Sequence, residues 1–144
     1  MAIHDRGTVH ARLDALRATV AGLRAKLPVT LEELEADELL EWTVTRGLAL
    51  AVDAVIDVGA LLLGRMPSAA AAAPAALLGD LAACGVVWPE TAERLRGLPG
   101  LHDALVPDDV VLDRASLLDA LGRVEALDAF AGDVDAWMNR RDGH

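Results

Sequence analysis

"LALAVDAVIDVGALLLG", residues 48–64, is the most apolar stretch of the chain. Whether it spans a membrane or fills a core decides the fold. A spanning helix wants roughly 18 or more apolar residues with few or no charges. Here Asp53 and Asp57 interrupt the run, and Arg46 and Arg65 flank it. Carboxylates inside hydrocarbon are costly, so the stretch reads as a buried helix of a bundle and not as a membrane segment. Asp53 and Asp57 are four residues apart and share one helical face. If both were buried, their charges would repel and their pKa values would rise. Two arrangements avoid that conflict. Either the pair lies at the edge of the apolar stripe and reaches solvent, or Asp57 turns inward and accepts hydrogen bonds from a polar corner at 98–114.

Composition points to the same fold class. The chain is 53% hydrophobic but only 3% aromatic, and Ala and Leu dominate. Such residues lose little on entering a helix, whereas strands favour β-branched and aromatic side chains. The expectation is an all-α, up-and-down helical bundle of four to five helices. With 144 residues the chain fits one domain, 1–144, its core running from about residue 8 to 138.

The formal charge is −10. That field repels phosphate backbones, so RNA binding is disfavoured unless arginines cluster, and a basic partner suits the chain better. The single cysteine, Cys84, excludes an internal disulfide framework and any multi-cysteine metal site. It lies in "LAACGVV", so buried filler is the first reading and a reactive thiol the second. Met1 to Val9 lacks the apolar core of a secretory signal, so a cytoplasmic address is the expectation.

Helical patterns run outward from the opening stretch. Val9, Leu13, Leu16, Val20, Leu23 and Leu27 recur at spacings of four and three, one apolar seam that Pro28 ends. The seam suits one helix of an intramolecular bundle better than a coiled-coil strip. Thr30 and Glu33 have capping-box spacing. From there an uninterrupted pattern predicts one long helix to Gly64, with Gly47 and Gly59 as weak points. "RMPSAAAAAPAA" reads as a linker. "AALLGDLAA" and the segment opened by Pro89 and Glu90 read as short helices. Asp113 is placed to cap one last long helix through Leu117, Leu121, Val124, Leu127, Phe130, Val134 and Trp137.

Catalytic signatures are sparse. The chain has no Glu-x-x-His, no His-x-x-x-His, no phosphate-binding Gly-rich loop with Lys and no serine elbow, and tyrosine is absent. His4, His10 and His144 lie near the termini. The chemically richest stretch is "LPGLHDALVPDDVVLDR", 98–114, with His102 beside Asp103, Asp108, Asp109 and Asp113. His102 could act as a general base oriented by a carboxylate. It lacks a nucleophile, a metal or a second acid to work with. A solvated turn accounts for the aspartates without function, and their spacing is not that of a calcium loop. Neither a metal nor an organic cofactor is called for.

The order of these pieces resembles the HepT-like ribonuclease toxins of the HEPN superfamily. It runs from a long helix to "AVDAVIDVGALLL", then "LGDLAACGVV", "PETAERLRGLPGLHDALV" and a final long helix. The resemblance covers about residues 8–138. It implies an all-helical protein that dimerises. In the family an arginine followed by asparagine, then Leu-Val-His and a tyrosine two residues past that histidine, forms a metal-independent RNA-cleaving site across two subunits. A nucleotidyltransferase antitoxin adenylates the tyrosine and silences the enzyme.

Laid on this chain, Gly100, Leu101, Leu105 and Val106 match the frame, and Asp113 matches a following acid. His102 stands where the arginine belongs and Asp103 where the asparagine does. Pro107 replaces the histidine and Asp109 the tyrosine. Cleavage needs a proton acceptor for the 2′-hydroxyl and a cation for the developing phosphorane charge. Proline cannot move a proton, Asp109 adds negative charge, and a histidine is mostly neutral at pH 7 where a permanent cation is wanted. The resemblance thus implies a catalytically inactive, dimeric protein-binding module, with a nucleotidyltransferase-like antitoxin as candidate partner and Asp57 as a supporting carboxylate. Two alternatives stay open. One is an active ribonuclease using His102 with Arg94, Arg96 or Arg114. The other is a stand-alone structural or ligand-binding bundle.

Overall fold

The computed structural model describes residues 3–98 and 113–142. Among these the chain is all-α, with eight helices and no strand. They are α1 (Ile3–Arg24), α2 (Leu31–Ala36), α3 (Glu38–Leu63), α4 (Pro67–Ala72), α5 (Pro74–Ala83), α6 (Pro89–Arg94), α7 (Arg114–Leu121) and α8 (Val124–Asp142). About five of them are main helices, packed together as a bundle.

The seam of α1 is buried as its spacing implies: Val9, Leu13, Leu16 and Val20 are fully enclosed. Its chief neighbour is α3, on which α2, α4, α5, α7 and α8 also pack. Leu23 meets Gly47 near the start of α3, and Arg12 meets Asp57 nearer its end, so the two helices run antiparallel. The second partner of α1 is α8. Leu48, Val52, Val55, Leu77, Leu81, Leu127, Phe130 and Val134 fill the space between these elements. No helix among the described residues is long and apolar enough to cross a membrane.

Three breaks depart from the expected helix pattern. The long helix from Thr30 to Gly64 is two helices that meet at Asp37. The Thr30–Glu33 capping box forms in both directions, at 3.1 Å each way, and opens α2. Asp37 then adopts an extended backbone, φ −134° and ψ 97°. Its Oδ1 accepts the Leu40 backbone N–H at 3.1 Å. An aspartate side chain competing for a free N–H starts a new helix as readily as it tolerates an old one. At its far end α3 closes on Gly64, φ 66°, with the Arg65 N–H donating to the Ala60 carbonyl at 2.8 Å.

The expected linker holds a helix. Pro67 stands in the first turn of α4, and the alanines behind it are the best helix formers. Pro74 ends that helix because the residue before a proline is pushed out of helical geometry; Ala73 sits at φ −137° and ψ 63°. The last long helix is likewise divided, into α7 and α8, at Gly122 and Arg123. The apolar seam crosses the break unharmed: Leu117, Leu121, Val124 and Leu127 are all buried. Asp113 stands at the N-cap of α7, but its side chain accepts no backbone cap bond there.

Candidate functional site

His102, Asp103, Pro107 and Asp109 lie outside the described residues, as do Asp108 and the rest of 99–112. Their flanks are firmly built. Leu98 is buried and its N–H donates to the Leu95 carbonyl at 2.9 Å. On the other side α7 packs against α2 and α3. Arg114, its first residue, forms an ion pair and hydrogen bond with Glu41 of α3. That hydrogen bond holds the Arg114 guanidinium above its usual pKa.

Asp57 takes the edge position. Its Oδ2 lies 3.6 Å from the Arg12 guanidinium, with the two side chains 35% and 52% exposed. Asp53, one turn earlier, is half-buried on the same helix. Asp57 therefore meets a cation at the bundle surface, where desolvation is modest.

A ladder of charge that the sequence did not reveal runs along α1 and α8. His10, Arg17 and Arg24 follow one another at seven-residue spacing, which returns each to nearly the same helical face. The Arg17 guanidinium donates to Asp135 Oδ2 at 2.6 Å, and His10 Nδ1 lies 3.6 Å from the other oxygen of that carboxylate. Arg24 grips Glu125 with two parallel hydrogen bonds of 2.6 Å and reaches Asp128 at 3.3 Å. The bidentate bond to Glu125, aided by Asp128, raises the Arg24 pKa further from neutrality. The same bond, opposed by some desolvation, pulls Glu125 below its ordinary 4.5. Pairs 101 and 118 residues apart carry no local sequence signal.

This use of arginine bears on chemistry. Arg12, Arg17, Arg24, Arg65, Arg96, Arg114 and Arg123 each face a carboxylate. Part of the positive potential of these seven arginines is offset by acidic partners within the molecule. Of the three arginines that an active ribonuclease would draw on, Arg96 pairs with Glu93 at 3.6 Å and Arg114 with Glu41. Among the described residues no group of three His, Cys, Asp or Glu side chains is arranged to hold a metal ion.

An apolar groove of about 320 Å³ lies between α5 and α6, floored by Ala75, Leu78, Ala82 and Ala92, with Glu93 and Arg96 among its lining residues. Trp88, before α6, is largely exposed, and its backbone N–H donates to Asp133 Oδ2 of α8 at 3.0 Å. Cys84 is exposed at the end of α5, not buried filler. The turn to Gly85, φ 75°, lifts it out of the core while Val86 and Val87 turn back in. No family model matches this chain, and no curated protein matches it.

Proposed function

We propose that this chain is a HepT-like, up-and-down bundle of the HEPN superfamily that has lost ribonuclease chemistry and works by binding other proteins, first of all a second copy of itself. The observation that carries the reading is the replacement at Pro107 and Asp109 of the imidazole and phenol that the resemblance calls for, inside the retained frame Gly100, Leu101, Leu105 and Val106. Without an imidazole at 107 the corner has no group there to take the 2′-hydroxyl proton. The engagement of Arg114 by Glu41 supports the same reading, because a phosphate-cleaving corner needs nearby cations that are not already neutralised. Asp109 has no hydroxyl to accept an adenylyl group. Contact with a nucleotidyltransferase-like partner is thus a matter of surface and not of modification.

The test is direct. Purified protein incubated with a defined oligoribonucleotide, with and without magnesium, leaves it intact, and expression does not arrest growth. Cleavage that disappears in His102→Ala overturns the reading. A pull-down from the native host that recovers a nucleotidyltransferase-like protein supports the proposed partner class, and recovery of none favours a stand-alone bundle.

A further inference from the structure

We infer that the outer face of α3 is the surface on which two copies of this chain meet, antiparallel, about a twofold axis close to Leu50. The inference deepens the dimeric part of the function proposed above and rests on that reading.

The face is defined by spacing and by exposure. Leu39, Trp42, Arg46, Leu50, Asp53 and Asp57 fall within about a quarter of the α3 circumference at 100° per residue. The three large apolar members stay in water: Leu39 is 71% exposed, Trp42 65% and Leu50 45%. The opposite face of the helix is fully buried through Val44, Leu48, Val55 and Val58. A lone exposed leucine means nothing. Two leucines and a tryptophan in one stripe of the longest helix form the kind of patch that marks an interaction surface.

Charge selects the occupant. Arg46 lies between Trp42 and Leu50, exposed, and among the described residues no ion pair engages it. Beyond Leu50 the stripe turns acidic at Asp53 and Asp57. An antiparallel copy centred near Leu50 sets each Arg46 opposite the other copy's Asp53, twice over. Asp53 already has a partner within its own chain, and a carboxylate has lone pairs enough to accept a second cation. It also places each Trp42 opposite the other copy's Asp57, whose carboxylate already holds Arg12 at 3.6 Å. A basic guanidinium beside an aromatic face is favourable. An isologous contact demands this kind of self-complementarity, with residue i meeting j and j meeting i. The overall charge of −10 opposes association at long range, but it is screened beyond about 8 Å at physiological salt. The local pairs then decide register.

The experiment uses the full chain. Sedimentation at micromolar concentration gives a dimer. Arg46→Glu or Asp53→Arg alone shifts it toward monomer by about tenfold or more in dissociation constant. The double variant Arg46→Glu with Asp53→Arg restores it, which a mere folding defect in either single variant would not. In a Cys84→Ser background, Leu50→Cys cross-links to itself under mild oxidation. The native Cys84, which follows α5 and is not on the α3 stripe, does not. A monomer at all concentrations, or a dimer indifferent to these α3 changes, overturns the inference. Neither result bears on RNA cleavage, which tests the loss of catalysis separately.

Discussion

Gly59 of α3 lies so close to Leu77 of α5 that a β-carbon built on it would stand 2.9 Å from Leu77 Cγ and 3.0 Å from Cδ1. Leu77 is fully buried and has nowhere to retreat. The sequence marks Gly59 as a weak point of a long helix; in the fold it makes room for the Leu77 side chain of α5. Gly22 on α1 is the contrasting case, with nothing within 4 Å of the corresponding position.

Alanine at these two glycines therefore acts in opposite directions. Gly22→Ala recovers helix propensity and stabilises by up to about 1 kcal/mol. Gly59→Ala gains the same propensity but incurs overpacking of about 1–3 kcal/mol, so the net effect is a loss. Urea midpoints at constant slope measure both. In a Gly59→Ala background, Leu77→Ala costs less than it does in the wild type, because the two sites share one space.

Asp37 carries the joint between α2 and α3 through its bond to the Leu40 N–H. Asp37→Ala removes that cap and costs about 1 kcal/mol. Asp37→Asn keeps an acceptor in place and costs little. If both substitutions were equally harmful, the charge and not the cap would be what matters at this position.

These positions show where sequence reasoning reaches and where it stops. The α1 seam is visible because buried residues repeat at three and four over several turns. The end of α3 is visible because Gly64 supplies a left-handed residue after an apolar run. The break at Asp37 is hidden: one more acid among Glu32, Glu33, Glu35 and Glu38 changes no periodicity, and only its own hydrogen bond tells it apart. The alanines of 69–73 resemble a linker for want of large apolar residues, although alanine needs no partner to favour a helix. At the site, the spacing of Asp53 and Asp57 leaves an edge and an inward position open to Asp57, and only the structure decides for the edge and supplies its cation, since Arg12 lies on another helix. The replaced motif positions His102, Asp103, Pro107 and Asp109 are legible only by resemblance and fall outside the described residues.

The α1–α8 ladder gives a pH dependence with a definite sign. Glu125 has a folded pKa below its ordinary 4.5, caused first by the bidentate bond from Arg24. A lowered carboxylate pKa contributes stability that is complete above the unfolded value and is lost as pH falls through the folded one. Both partners are well exposed, so the effect is small and screened by salt. Between neutral pH and about pH 5 the pair contributes a constant amount, and the loss begins below 4.5. Thermal unfolding of wild type and Glu125→Gln at low ionic strength should converge as the buffer is taken from pH 6 toward pH 3. A gap that widens on acidification would contradict the assignment.

Cys84 supplies a test of the turn between α5 and α6 that needs no substitution. A thiol buried among Leu81, Val86 and Val87 would react with an aromatic disulfide reagent only when the protein opens, at a rate set by local unfolding. The exposed position at the end of α5 predicts otherwise. One thiol per chain reacts in the native state, without waiting for the protein to open. Addition of denaturant below the unfolding transition leaves that rate nearly unchanged. A reaction that waits for unfolding would mean that Gly85 does not turn the chain outward here. It would also mean that the valines at 86 and 87 enter the core by another path.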